Sequence, residues 1–479
     1  MSNSTRDDVA IQSERAILAA VRLPDSRYNK DDPFGELQAL VEQAGAVVVG
    51  TLDQMLKRPI SGTYIGSGKL IELKSLCDEL DAQTVIFDHE LSPKQIANIE
   101  KVVERKVLDR SEVILDIFAS RATTHEAKLQ VEIAQLEYTY PRLRSMWSHL
   151  ERIAGSAAGG GVGTRGPGEQ QLEIDRRLVQ RRKAHLKQEL GKIQARKERS
   201  VEKRNHDNFT VGLVGYTNAG KSTLFNSLTE GGAYADDRLF ATLMTRTRKW
   251  ELGNGVEVML SDTVGFVRDL PHNLVASFKA TLEEATHADL LLIVLDVSDP
   301  AAELQYSEVD RTLEELFAGV AKAEARAASR GASDVQVEPW QPPERLVLLN
   351  KVDLLRDNTE LLIWQQKIPN SLPISSLPST DENPSRGQAE LAAIIKEATL
   401  GEVLEVTLTL PMREAKALHV LETKAEILDR QYEGDQVIIT TRIGKRLLAQ
   451  LCSGGAKISS DKPLDQPQTL QPWQTPPKD

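Results

Sequence analysis

Short apolar runs alternate with helix-spaced segments through residues 33–122. Val47-Val48-Val49, Val85-Ile86-Phe87 and Val107-Leu108 predict buried strands, and Glu36–Gln43, Lys69–Glu79 and Pro93–Glu104 between them predict helices. The alternation predicts a small α/β subdomain, with residues 1–32 ahead of it read as a disordered extension. From Thr123 the spacing becomes purely helical. Leu129, Ile133, Leu136 and Tyr140 share one face, and Leu172, Val179, Leu186 and Ile193 recur at seven-residue spacing. Residues 123–206 therefore predict a long antiparallel helical hairpin. Alternation resumes over 207–400, with strands at Val211–Val214, Val256–Leu260, Asp289–Asp296 and Leu346–Leu349 and helices near Glu303–Phe317 and Gln388–Ala398. This predicts a doubly wound α/β core. Beyond it, Val403–Leu410 and Gln436–Thr440 predict strands, and Arg413–Gln431 and Lys445–Cys452 helices, in a small α/β C-terminal domain over 401–458. The Ala/Arg-rich and then Pro-rich segment 318–343 is read as a disordered insertion, and 459–479 as a disordered tail.

A chain of 479 residues with 40% hydrophobic content supports several packed cores. The formal charge of −11 argues against binding nucleic acid through overall attraction and leaves local patches open. One such patch is Arg176, Arg177, Arg181, Arg182, Lys183, Arg196, Lys197, Arg199, Lys203 and Arg204 on the second hairpin helix; it reads either as a solvated face or as an RNA surface. The glycine-rich joint 155–168 taken alone reads first as a flexible linker, and the functional alternative is a tip whose bare backbone approaches RNA phosphates, with Arg165 adding charge. Cys77 and Cys452 have no metal-site spacing and suit a reducing compartment. The polar start and the brevity of the Leu290–Leu295 run predict a cytoplasmic protein without a membrane span.

The chemistry concentrates where three strands end. Val211–Val214 runs into Gly215-Tyr216-Thr217-Asn218-Ala219-Gly220-Lys221-Ser222 and then a helical pattern, which is the G-x-x-x-x-G-K-[ST] phosphate loop in its strand–loop–helix setting. Its backbone N–H groups can turn toward phosphate oxygens at the positive end of the helix, Lys221 adds a point charge, and Ser222 offers a hydroxyl to Mg²⁺. A second strand ends in Asp262-Thr263-Val264-Gly265, a D-x-x-G turn in which Asp262 holds Mg²⁺ through water and the Gly265 N–H senses a γ-phosphate. A third ends in Asn350-Lys351-Val352-Asp353. The Asp353 carboxylate can accept both guanine donors, whereas adenine would leave it unpaired, with Asn350 and Lys351 bracing the pocket. In this order the three predict a P-loop GTPase that binds GTP and GDP.

TYIGSGKL (Thr63–Leu70), LDIFASRATTHEAKLQVEIAQLEY (Leu115–Tyr138) and GGGVGTRGPGEQQLEIDRR (Gly159–Arg177), ahead of GYTNAGKSTLFNSL, resemble the HflX family of ribosome-associated GTPases. The resemblance spans about residues 33 to 400. It implies a subdomain and hairpin that dock on the large ribosomal subunit and its rRNA, with the glycine loop reaching toward the peptidyl-transferase region. It implies too a role in splitting stalled ribosomes. Phe240-Ala241-Thr242-Leu243 resembles the family's first switch, which makes Thr242 a second Mg²⁺ ligand; Met244 and Thr245 stand where the family has Asp-Pro. Ser375-Ser376 resembles the last base-contacting loop, usually Ser-Ala. Phe266 occupies the position of the water-orienting glutamine of Ras-like enzymes, so hydrolysis is expected to be slow and partner-dependent. Asn218 sits where potassium-activated relatives place an asparagine that helps hold K⁺, and a loop asparagine bonding its own backbone is the other reading. The catalytic candidates are thus Lys221, Thr242, Gly265 and Asn218, in a chain expected to be a monomer. Alternatives are an RNA-modification GTPase, whose reactive C-terminal cysteine motif has no counterpart here, and a slow nucleotide-gated RNA-binding scaffold.

Overall fold

Ala16–Val21 carries an apolar side chain at every position, so as a strand it needs cover on both faces. In the computed structural model it has that cover. Described are residues 14–24, 26, 28–155, 167–207, 209–229, 245–253, 255–268, 285–330, 340–355, 357–377, 386–401, 403–444, 447–448, 451 and 459–460. The N-terminal elements are β1 (Arg15–Arg22), α1 (Gly35–Gln43), β2 (Val47–Met55), α2 (Ser67–Glu79), β3 (Thr84–Phe87), α3 (Pro93–Val103), β4 (Lys106–Asp109) and α4 (Arg110–Arg121). The strands form a parallel sheet in the order β2-β1-β3-β4. Ala16 and Leu18 pack toward α1 and α4, while Ile17, Ala19 and Val21 pack toward α2 and α3, where Cys77 is buried as a free thiol. This corrects the reading of 1–32 as disordered: residues 15–22 are an interior strand. Its apolar run fits a buried strand, but three alanines are weak strand formers and the run does not by itself separate strand from helix; the neighbouring strands and two helical layers decide it.

The hairpin follows as α5 (His125–Gly155) and α6 (Pro167–Asp207). Leu129, Ile133, Leu186 and Leu190 are buried between the helices, with Leu136 and Ile193 partly covered. Val179 is half-buried, and the Leu172 side chain and the glycine joint 156–166 lie outside the described residues. Two members of the basic face turn out to serve the hairpin itself. Arg182 forks onto Glu132 at 2.8 and 3.1 Å, and Lys183 shares Glu137 with Lys187 at 2.9 and 2.8 Å. Arg177, Arg181 and Arg196 remain exposed.

The next unit comprises β5 (Phe209–Gly215), α7 (Lys221–Leu228), β6 (Arg246–Glu251), β7 (Glu257–Asp262), β8 (Leu290–Asp296), α8 (Ala302–Arg330), β9 (Glu344–Asn350), α9 (Asn358–Lys367), β10 (Ser371–Pro373) and α10 (Gln388–Leu400). Its sheet runs β10-β9-β8-β5-β7-β6, parallel except for β6 against β7. The chain leaves β5 for strands on both sides of it, which opens a crevice at the carboxyl ends of the parallel strands. α8 corrects the predicted insertion at 318–343: the helix continues to Arg330 because Ala, Lys, Glu and Arg sustain a helix without needing a core. Trp340, at the far end of that segment, packs on Phe317 with ring centroids 5.6 Å apart and donates its indole N–H to the Thr286 carbonyl at 3.3 Å.

The last unit is β11 (Val403–Pro411), α11 (Ala415–Lys424), β12 (Glu426–Glu433), β13 (Gln436–Gly444) and β14 (Ser459–Ser460), an antiparallel sheet in the order β12-β13-β11-β14. The helix predicted over Arg413–Gln431 stops at Lys424, and the remainder pairs with β13 as a polar edge strand. Ser459 and Ser460, read as the start of the tail, pair with Thr409 and Leu408. Among the described residues no helix is long and apolar enough to cross a membrane.

Candidate nucleotide site

Four strand ends supply the site: Gly215 closes β5, Asp262 β7, Asp296 β8 and Asn350 β9. Gly215 (φ 153°) lies so close to β8 that a Cβ there would sit 2.3 Å from the Val294 carbonyl oxygen. At Gly220 (φ 95°) a Cβ would meet the Asn350 side chain at 2.3 Å. Both glycines are therefore demanded by backbone angle and by close approach. Asn218 at the loop apex is exposed and left-handed (φ 61°), a conformation that asparagine tolerates better than most residues.

The loop, the D-x-x-G turn and the third strand end are drawn together. Asn350 donates to the Ala219 carbonyl at 2.7 Å, and its own carbonyl accepts from the Ser376 N–H (3.1 Å) and hydroxyl (2.8 Å). One buried amide thus ties the phosphate loop to the Ser375-Ser376 loop, which is further braced by Gln388 donating to the Ser375 carbonyl at 2.9 Å. Lys351 (φ 63°) is ion-paired with Asp296 at 2.6 Å, and the half-buried Asp353 follows buried Val352 on a short 3-10 turn.

Ser222 donates its hydroxyl to Asp262 at 2.7 Å, and Lys221 donates its ammonium to the Tyr216 carbonyl at 2.6 Å. Burial lowers the Lys221 pKa to about 8, against the opposing pull of the Asp262 charge. The D-x-x-G turn is stitched to the loop by backbone bonds from Thr217 to the Phe266 carbonyl (2.7 Å) and from Phe266 to the Gly215 carbonyl (3.0 Å). Thr263 donates to the Leu213 carbonyl at 2.7 Å, and Val264 is buried against the N-terminal core. Gly265 lies over the loop: a Cβ there would be 2.9 Å from Thr217 Cα and 3.0 Å from Lys221 Nζ. The Phe266 side chain is buried in the core around β5. Phe240, Ala241, Thr242, Leu243 and Met244 lie outside the described residues.

Sequence reasoning missed Asp296, the Lys351 partner, and also Glu36, Asp88, Arg110 and Arg268. The Tyr216 hydroxyl donates to Glu36, and the Arg268 N–H donates to the Tyr216 oxygen at 2.8 Å. A signal existed for Asp88 and Asp296, since each ends a buried apolar strand, as Asp262 and Asn350 do. Arg268 and Glu36 carry no such mark.

Residues 31–119 match the GTP-binding GTPase N-terminal family, 121–204 the GTP-binding GTPase middle region, and 210–326 the 50S ribosome-binding GTPase family. GTPase HflX of Lacrimispora saccharolytica is 38% identical over 439 residues, covering 91% of this chain and 95% of that protein. GTPase HflX of Escherichia coli K12 is 38% identical over 405 residues, covering 84% and 87%. A GTP-binding protein from the archaeon Sulfolobus solfataricus, solved with GDP, aligns over 81% of this chain and 98% of its own at 25% identity and a TM-score of 0.39. With a phosphate loop, a D-x-x-G turn and an N-K-x-D turn at adjoining strand ends, and with 38% identity to two HflX GTPases over most of its length, the chain is a P-loop GTPase of the HflX family.

Proposed function

We propose that the chain binds GTP across the crevice at the strand ends, hydrolyses it to GDP and phosphate, and uses the nucleotide state to time attachment to the large ribosomal subunit and the splitting of stalled ribosomes. The observation that carries this reading is the Asn350 side chain, which joins the phosphate loop to the loop at Ser375-Ser376 and so brings the two sides of the crevice together. In it, N–H groups from Asn218 to Ser222 and the Lys221 ammonium hold the phosphates, with Gly215, Tyr216 and Thr217 shaping the loop. Asp353 accepts from the guanine donors, and the Ser376 N–H region closes the base pocket with Ser375, Lys351 and Val352. Asp262 and the Gly265 backbone meet the terminal phosphate side, with Thr263 and Val264 anchoring the turn between them to β5 and to the N-terminal core.

The Ser222 hydroxyl and the buried Asp262 carboxylate, 2.7 Å apart, are hard oxygen donors that fit Mg²⁺, with Thr242 as the further ligand implied by the family resemblance. When bound, that ion neutralises charge on the phosphates. Because Phe266 is committed to the core, the D-x-x-G turn presents no side chain there to orient water, so intrinsic turnover is slow and a partner or a K⁺ held by Asn218 supplies what is missing. The exposed arginines of α6 and the 155–168 joint are the surface offered to rRNA.

The test is GTP turnover of the purified chain with and without large ribosomal subunits, in potassium and in sodium. Acceleration by the subunits on the order of tenfold or more is expected, together with faster turnover in potassium. Indifference to the subunits would sink the ribosomal reading, and equal rates in the two salts would remove Asn218 from its role.

A further inference from the structure

Three residues beyond the D-x-x-G turn, Arg268 reaches from the GTPase unit into the N-terminal domain. Its guanidinium donates to both oxygens of Asp88, at 3.1 and 3.0 Å, and faces Glu36 at 3.6 Å. Arg110 completes the clamp from the other side. It bonds Asp88 at 2.9 Å, pairs with Glu36 at 2.7 Å and donates to the Arg268 carbonyl at 3.2 Å. Arg22 reaches the Asp88 oxygen that Arg110 does not bond, Oδ2, at 3.1 Å while lying over the rings of Tyr28 and Phe34. Asp88, Arg110 and Arg22 are buried.

The same cluster grips the phosphate loop. Glu36 accepts from the Tyr216 hydroxyl, whose oxygen in turn accepts from the Arg268 N–H at 2.8 Å. Burial, and then the Glu36 charge, push the Tyr216 phenol well above its ordinary pKa, so it stays a donor. Burial pulls Asp88 upward too, but Arg110, Arg268 and Arg22 outweigh it and hold the carboxyl below its usual value. Val264 and Val267, flanking Gly265 and Phe266, are buried in the core that contains Leu37, Val113 and Phe118. The turn meant to sense the γ-phosphate is therefore fastened on one side to the phosphate loop and on the other to a different domain.

We propose that Arg268 is a positioning residue for GTP hydrolysis: through Asp88, Glu36 and Arg110 the N-terminal domain holds the D-x-x-G turn over the phosphate loop. This rests on the nucleotide assignment proposed above. The network acts as one body, because a forked guanidinium held at several points resists rotation in a way that a single ion pair does not. Movement of the N-terminal sheet is passed to Gly265, and misplacing a catalytic group by about an ångström costs up to about a hundredfold in rate.

The experiment measures kcat and KM for GTP, affinity for GDP, and melting temperature in the full chain and in Arg268→Gln, Asp88→Asn, their double variant, Arg268→Lys and Tyr216→Phe. Arg268→Gln and Asp88→Asn are each expected to lower kcat on the order of tenfold, and the double variant to be no slower than the slower single one. GDP affinity should stay within about twofold, since GDP has no γ-phosphate for the turn to meet. Arg268→Lys, with its charge but not its fork, should recover part of the loss. Tyr216→Phe, which removes one hydroxyl and little volume, keeps the test alive should the buried charge variants fold poorly; it too should lower kcat with GDP affinity held. Multiplicative losses in the double variant, unchanged kcat, or GDP affinity falling in step with kcat would each overturn the proposal. A wild-type chain that binds no guanine nucleotide would overturn the nucleotide reading itself, a distinct outcome.

Discussion

Lys221 shows how burial sets the behaviour of a single charge. Desolvation lowers its pKa from 10.5 to about 8, so near neutral pH an ammonium is held where the protein would rather have an amine. The folded state binds fewer protons than the unfolded one between about pH 8 and 10.5, and stability contributed by this group therefore rises with pH across that window. A phosphate beside the ammonium restores the proton, so GTP binding should draw one up. Expected is a GTP dissociation constant that is flat below about pH 7 and weakens above about 8, approaching tenfold per pH unit at the steepest. Nucleotide titration from pH 6.5 to 9.5 in buffers of different ionisation heat, on the order of five points, checks it. A constant affinity across the range, with no buffer-dependent heat, would refute it.

At the scale of elements, the contact between α5 and α6 has a small core of its own, while another face of α5, with Ala127, Val131, Ala134 and Tyr138, is buried in the N-terminal core. Leu129, Ile133, Leu186 and Leu190 form a cluster separate from the sheets, supplemented by the Arg182–Glu132 fork and the two lysines on Glu137. The ion pairs are partly exposed and contribute little each. The leucines decide. Leu186→Ala, at a site only 1% exposed, should destabilise the hairpin by about 2–4 kcal/mol. Hydrogen exchange should show protection lost in the mid-hairpin stretches while the strands of the nucleotide-binding sheet and GTP affinity are unaffected. Uniform loss of protection over both regions would mean that the hairpin is not an independent unit.

For the whole molecule, the β6–β7 turn is a second junction. Gly255 (φ 73°) sits where a Cβ would be 2.1 Å from the Thr423 carbonyl oxygen of α11, whereas Gly253 (φ 79°) has nothing within 4 Å. Both substitutions to Val strain the backbone, but only Gly255→Val also pushes the C-terminal domain away. Gly255→Val should lower the unfolding midpoint by more than Gly253→Val, a difference of about 1–3 kcal/mol read by denaturant unfolding. Equal losses would show that the Thr423 contact yields at no cost.

The parts legible in the sequence are those whose physics is local. A glycine-bounded loop between strand and helix, a carboxylate at a strand end and a leucine seam at helical spacing follow from backbone angles and side-chain period, and Gly215–Ser222, Asp262 and Leu186 stand accordingly. What depended on distant neighbours could not be read. Ala16–Val21 is a strand only because β2 and β3 flank it, Glu426–Glu433 is a strand only because β13 pairs with it, and the helix to Arg330 has propensity without the apolar pattern that a core would impose. The gathering of Glu36, Asp88 and Arg110 around Arg268 spans more than two hundred residues of chain, and no local rule links charges so far apart. Residue chemistry was settled along the chain, whereas the company each charge keeps was settled by which strand ends and helix starts the packing brings face to face.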